Sequence, residues 1–201
     1  MYSTIIFDLG GVLIDWNPQY LFRKIFADES QMKEFLEQVC TPEWNEEQDA
    51  GRTIKEATDD LVTKFPAHEA HIRAYYERWD EMLGGALEET VQVFRELKET
   101  GRYKIYALTN WSAETFPIAF ERYPFLAWFD GVVVSGTEKM RKPFPEFYHV
   151  LLDRYAVQAG EAVFIDDNER NVLAAKRIGL DSILFVNAEK LRNELSRRQI
   201  L

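Results

Sequence analysis

A chain of 201 residues, 46% hydrophobic and 29% charged, is long enough to bury a core without covalent staples, and its one cysteine, Cys40, excludes an intrachain disulfide. Its 34 acidic against 24 basic side chains give a formal net charge of −10, which argues against a nucleic-acid partner because phosphate backbones need a basic face; a small phosphorylated ligand stays open, since a local cation reverses the field inside a cleft. The opening MYSTIIFDLG lacks the basic n-region of a signal peptide, and no apolar run is long enough to span a bilayer, so a cytoplasmic protein without a membrane partner is expected.

In chain order, the apolar run Thr4–Phe7 reads as a buried strand and ends at Asp8, inside FDLGGVLID. From about Pro18 to Leu83 no convincing strand occurs; helical spacing is found near Gln19–Phe26, Ser30–Val39, Ile54–Lys64 and Ala70–Met82. Within that stretch Trp44, Gln48, Asp49 and Arg52 surround Gly51 and read as a loop facing a cleft. Trp44 there either stacks on a sugar ring or fills the insert's own core. Gly84-Gly85 reads as the hinge where the chain returns. After it, strands at Lys104–Leu108, Gly131–Val134, Ala162–Ile165 and Ser182–Val186 alternate with helices at Ala86–Lys98, Glu114–Glu121, Phe144–Tyr155, Asn168–Ile178 and Glu189–Arg197. The pattern predicts an α/β protein with a doubly wound parallel sheet: a core of residues 1–16 and 85–201, interrupted by a helical insert of residues 17–84.

Ligands of open parallel sheets bind beyond the carboxyl ends of the strands, so the residues just past each strand sample the site. They are Asp8; Thr109 and Asn110 in ALTNWS; Lys142 in MRKPFPEFY; and Asp166, Asp167 and Asn168 in FIDDNERN. Carboxylates, a hydroxyl, an amide and a lysine on one edge suit an oxyanion ester with a hard cation. Mg²⁺ takes one or two carboxylates together with phosphate oxygens, which assigns it to Asp8 and Asp167, with the Gly10 carbonyl as a third oxygen. With the cation in place Asp8 becomes a feasible nucleophile toward phosphorus, giving an acyl phosphate. Thr109 and Asn110 stand at a strand-to-helix turn suited to phosphate, and Lys142 adds a point charge. Taken singly each of these residues has a plainer role, as a turn residue, a helix cap or a solvated lysine. The adjacent carboxylates Asp166 and Asp167 repel one another, and a cation relieves that repulsion. Trp16 and Trp111 flank the motifs and are placed at the cleft mouth. His68, His71 and His149 fit no metal-ligand spacing with these carboxylates.

Four motifs in this order (Asp8, Thr109, Lys142 and the Asp166-Asp167 pair), each after its own strand, resemble the haloacid dehalogenase superfamily over essentially the whole chain. The FDLG, TN and RKP forms are similar to those of bacterial sugar phosphatases acting on α-glucose 1-phosphate, and the second to fourth motifs to the N-terminal phosphatase domain of soluble epoxide hydrolases. The resemblance implies a Rossmann-like core, a helical cap at the position of the insert, Mg²⁺ held through Asp167 with Asp166 behind it or as a weaker ligand, and an aspartyl-enzyme intermediate. It implies a phosphomonoesterase acting on a small phosphorylated metabolite, a sugar phosphate being favoured. Many members carry an acid two residues after the nucleophile; here that residue is Gly10, whose carbonyl can bind metal but cannot move a proton. Asp15 is one replacement candidate, or else an organiser of the cap junction, and Asn171 stands where many members have an Asp, as an orienting hydrogen-bond partner. Two alternatives remain: a metal-independent 2-haloacid dehalogenase, with Arg52 receiving the anion, and a catalytically weak binding or regulatory protein.

Overall fold

The computed structural model describes all residues from Met1 to Leu201. β1 (Thr4–Phe7) is followed by β2 (Ile14–Trp16), then by helices α1 (Gln19–Ile25), α2 (Glu29–Gln38), α3 (Pro42–Asp49), α4 (Ile54–Lys64) and α5 (Glu69–Glu77), and by β3 (Leu83–Ala86). The remainder alternates: α6 (Glu88–Glu99), β4 (Lys104–Thr109), α7 (Phe116–Arg122), β5 (Gly131–Val134), the single turn α8 (Ser135–Glu138), α9 (Pro145–Arg154), β6 (Ala162–Asp166), α10 (Glu169–Arg177), β7 (Asp181–Leu184) and α11 (Ala188–Arg197).

Five strands form one parallel sheet in the order β5-β4-β1-β6-β7. β1 and β6 are buried along their whole length, which is why their sequences, apart from Thr4 at the start of β1 and Asp166 at the end of β6, run apolar rather than alternating. β1 lies at the centre, with Phe7 in register with Ala107 of β4 and Ile165 of β6. The residues that follow these three therefore emerge side by side at one edge. One face of the sheet packs through Ile6 and Phe164 on Phe147, Tyr148 and Leu151 of α9. The other face, through Ile5 and Phe7, belongs to a core that continues without a break into Leu21, Phe22, Phe35 and Tyr75 of the inserted helices. No helix is long and apolar enough to cross a membrane.

Two expectations are corrected here. Gly84-Gly85 is not a bare hinge: it forms β3, which pairs antiparallel with β2 in a two-stranded ribbon at the root of the insert. Only glycine fits, because a Cβ at Gly84 would stand 2.3 Å from Asp15 Oδ2 and Gly85 has φ +129°. The stretch from Trp44 to Asp49 is a helix rather than a loop. Thr41 caps it by accepting from the Trp44 N–H at 3.2 Å, and Pro42 occupies its first turn. Its sequence PEWNEEQD has no apolar stripe, so periodicity could not reveal it; the residue it buries is Gln48.

Ion pairs and a hydrogen bond add to the shared apolar core where the insert meets the sheet edge. Glu46 of α3 is gripped by Arg141 at 2.9 Å and Arg170 at 2.5 Å, both from core loops or helices. The Ile54 N–H at the start of α4 donates to Glu114 Oε1 at 2.7 Å.

Candidate active site

The centre of the edge is built on a buried lysine. Lys142 is fully buried, and its Nζ donates to Leu108 O at 2.9 Å and Asp166 Oδ2 at 2.7 Å while lying 3.0 Å from Asp8 Oδ1. Burial acts to lower the pKa of this ammonium, but Asp166 and then Asp8 outweigh it, and the net direction is up, so the lysine stays charged. Asn110 brings the lysine in: its Nδ2 donates to Lys142 O at 3.0 Å and its Oδ1 accepts the Lys142 N–H at 2.8 Å. One Nδ2 hydrogen and the Oδ1 of that amide are therefore engaged by the Lys142 peptide, which leaves the second N–H and the Asn110 backbone for the ligand contact expected of it.

Asp8 Oδ1 also accepts the Leu9 N–H at 2.7 Å. Burial, then the charges of Asp166 and Asp167, push the Asp8 carboxyl above its ordinary range, against the opposing pull of Lys142. Asp166 is saturated. Besides Lys142 it accepts from the Asn168 N–H at 2.8 Å and from Asn171 Nδ2 at 3.1 Å on each oxygen. The expected orienting contact of Asn171 is thus made to Asp166. Asp167 projects outward, exposed, beside Gly11; partial burial and then the Asp166 charge raise its carboxyl. Thr109 is fully buried and its hydroxyl has no partner in the protein, as an oxyanion ligand there requires.

Asp8, Asp166 and Asp167 present carboxylate oxygens within 4.8 Å of one another. One buried ammonium leaves this group with excess negative charge, and an all-oxygen donor set fits a hard divalent cation such as Mg²⁺. Since Asp166 is saturated by Lys142, Asn168 and Asn171, Asp8 and Asp167 are the carboxylates free to serve as ligands.

Beside this centre lies a cavity of about 70 Å³ lined by Gly10, Trp16, Asn45, Asp49, Tyr76, Trp79, Asn110, Trp111, Ser112 and Thr115. Trp16 and Trp111 were placed here from their motif positions. Asn45, Tyr76 and Trp79 were missed, because each lies in a helical or insert segment with no local signal. Trp44 belongs to the insert's core: its ring meets Tyr75 at 5.1 Å and Tyr76 at 5.4 Å, and its Nε1 donates to Ala57 O at 3.4 Å. Asp15 accepts from Tyr20 Oη at 2.6 Å and abuts Gly84, so it organises the ribbon and lines no part of the cavity. Arg52 pairs with Glu47 at 2.7 Å and with Asp60. His68 and His71 pack on Phe35 of the insert, with ring centroids 5.5 Å and 5.7 Å from it, away from the carboxylates.

The family model described as haloacid dehalogenase-like hydrolase matches residues 2–179. The chain is 29% identical to a sesquiterpene phosphatase of Aspergillus oryzae, across 89% of this chain and 87% of that protein. It is 28% identical to a phosphorylated carbohydrates phosphatase of Thermotoga maritima, across 92% of this chain and 85% of that protein. In fold it is similar to a HAD family enzyme of Bacteroides thetaiotaomicron solved in complex with magnesium and inorganic phosphate, with a TM-score of 0.69 and 23% identity over 93% of this chain and 96% of that one.

Proposed function

This chain belongs to the haloacid dehalogenase-like hydrolases, and on that premise we propose that it is a magnesium-dependent phosphomonoesterase acting on a small phosphorylated metabolite, a sugar phosphate before others. The observation that carries the reading is the buried Lys142 held between Asp8 and Asp166, with Asp167 beside them. Asp8 attacks phosphorus in line with the leaving oxygen, and water then hydrolyses the aspartyl phosphate. Lys142, the Thr109 hydroxyl and the Asn110 backbone hold the transferred phosphoryl group. Asp8, Asp167 and the Gly10 carbonyl would hold Mg²⁺, which when bound neutralises phosphoryl charge so that a carboxylate can approach a dianion. The insert, residues 17–84, acts as the cap that encloses the leaving group and excludes water.

The cavity supports a polyol leaving group. Trp16 and Trp111 each bring a buried indole N–H without a partner, and Asn45, Ser112 and Thr115 add polar groups beside the rings of Tyr76 and Trp79. Aromatic faces mixed with uncommitted donors suit a sugar better than a hydrocarbon. The Thermotoga relative named for phosphorylated carbohydrates supports the same class.

Chelation with EDTA is expected to reduce turnover of a phosphosugar panel by at least ~100-fold, with recovery on adding Mg²⁺. Halide release from 2-haloacids that survives EDTA would instead favour dehalogenation, a reading that the pairing of Arg52 with Glu47 and Asp60 already disfavours. Turnover of no phosphoester, with or without Mg²⁺, would leave a binding or regulatory protein.

Gly11→Ala tests the metal assignment through Asp167. Gly11 has φ +73°, and a Cβ there would stand 2.1 Å from Asp167 Oδ2. The substitution is expected to cost about 1–2 kcal/mol in backbone strain and to weaken Mg²⁺ binding roughly 10–100-fold by displacing the carboxylate. Calorimetric titration measures this; wild-type affinity in the variant removes Asp167 from the ligand set.

A further inference from the structure

Gly10 leaves the leaving-group oxygen without a proton donor at the usual place, yet the cavity that Gly10 lines contains another carboxyl, Asp49. It sits at the last turn of α3, on the inserted domain, and is carried to the sheet edge by the ion pairs from Glu46 to Arg141 and Arg170. Its attachment is specific. Gln48 Nε2 donates to Tyr76 Oη at 3.2 Å, Tyr76 Oη donates to Asn45 Oδ1 at 3.0 Å, and Asn45 Nδ2 donates to Asp49 Oδ2 at 3.2 Å. One carboxyl oxygen is thereby fixed, and no side-chain partner engages Oδ1.

We propose that Asp49, supplied by the inserted domain, is the general acid and base of the reaction, standing in for the acid that Gly10 replaces. The inference rests on the phosphomonoesterase reading. As Asp8 bonds to phosphorus and the bond from phosphorus to the leaving oxygen breaks, the Asp49 carboxyl gives its proton to that oxygen, and a neutral alcohol departs. Asp49, now a carboxylate, takes a proton from the water whose oxygen attacks the aspartyl phosphate. Asp8 leaves as a carboxylate, hydrogen phosphate forms, and Asp49 is protonated again.

The electrostatics fit the task. Burial and the neighbouring Glu46 charge push the Asp49 carboxyl up to about 7, against the Ser112 backbone N–H, Arg141 and Lys142, which pull it down. The other ionisable groups facing it are the phenols of Tyr75 and Tyr76 on α5, both raised by burial and hence neutral near pH 7. An acid poised near the working pH can both give and take a proton. It also places the acid on the domain that covers the leaving group, so proton transfer requires the docked arrangement.

The test is a series of substituted phenyl phosphates, from p-nitrophenyl to unsubstituted phenyl, assayed with Mg²⁺ on wild type, Asp49→Asn and Asp49→Glu across pH 5–9. Asp49→Asn is isosteric. The proposal expects it to lose roughly 10²–10⁴-fold in kcat/KM on phenyl phosphate but less than ~10-fold in kcat/KM on p-nitrophenyl phosphate, whose anion leaves without a proton, because kcat/KM covers only the steps up to departure of the leaving group. Because the acid form is needed for the first step, wild-type kcat/KM on phenyl phosphate falls as pH rises through about 7, and that limb disappears in Asp49→Asn and is partly restored in Asp49→Glu. Equal losses across the series with an unchanged pH profile would overturn the proposal and leave Asp49 a structural residue. A wild type inactive on every ester would overturn the phosphomonoesterase reading itself, and the role of Asp49 with it.

Discussion

Asp8→Asn is expected to reduce phosphoester turnover by about 10⁴-fold or more while leaving the protein folded. An amide keeps the shape of the side chain but removes the nucleophilic oxygen, and no other carboxylate can take its place. Asp166 is held by Lys142, Asn168 and Asn171, and Asp167 points outward. The cost to stability is small, and its sign follows from the site. Asp8 is a buried carboxyl among carboxylates, pushed above its ordinary range, so its ionised form is disfavoured in the folded state. Removing that charge relieves repulsion from Asp166 and Asp167, while Lys142 keeps Asp166 and Leu108 O as partners. A melting temperature at or above that of wild type without metal is expected. Steady-state kinetics with thermal denaturation decides it: a variant retaining more than a few per cent of wild-type turnover is incompatible with Asp8 as nucleophile.

Lys142→Met is the second large effect, and it falls on stability and turnover together. The ammonium is fully buried and touches two carboxylates and a carbonyl, all within 3.0 Å. A methionine fills the volume but leaves Asp8 and Asp166 buried without their counter-charge, a loss of about 3–5 kcal/mol. For a chain of this size that corresponds to a fall in melting temperature of roughly 6–20 °C. Turnover should fall by about 10²–10³-fold, the usual loss when one donor to the developing charge is removed. Arginine does not rescue it, because a planar guanidinium does not fit a site shaped for a compact ammonium. Adding Asp166→Asn to Lys142→Met should return part of the stability but none of the activity, since it removes an orphaned charge without restoring a phosphoryl contact. Urea denaturation of the two single variants and the double variant measures this, and strict additivity would show that the pair is not coupled.

The limits of sequence legibility have particular causes. The alternating strands and helices of the core were readable because parallel strands covered on both faces are largely apolar, and β1, β4 and β6 are so between their end residues. Their motifs were readable because β1 and its two neighbours end in residues that pack poorly anywhere but a site. The ribbon of β2 and β3 escaped notice because three or four residues around two glycines carry no periodicity. Helix α3 escaped because Trp44 is its one large apolar side chain and the residue it buries fully is a glutamine, although Thr41-Pro42 was a helix-start signal in plain view. Trp44 was ambiguous because a tryptophan stacks equally well on a sugar or on tyrosines, and here it meets Tyr75 and Tyr76.

The sequence by itself determined the parallel α/β core, the family, and the residues gathered at the carboxyl edge. These depend on local order: each motif follows its own strand, and strand order in a doubly wound sheet brings strand ends together. Only the tertiary structure decided how those residues divide the work. It tied Asn110 to the Lys142 peptide, saturated Asp166, left the Thr109 hydroxyl without a partner, removed Trp44 and Asp15 from the cleft, and, of the residues around Gly51 expected to face the cleft, left Asp49 alone at its wall. The contact of Asn110 with Lys142, 32 residues on, and the cavity wall that Asp49 shares with Trp111 and Ser112 join segments distant in the chain, and no local spacing encodes them; the contacts of Asp166 with Asn171 and of Asp15 with Tyr20 each span five residues and are made within one turn of the chain.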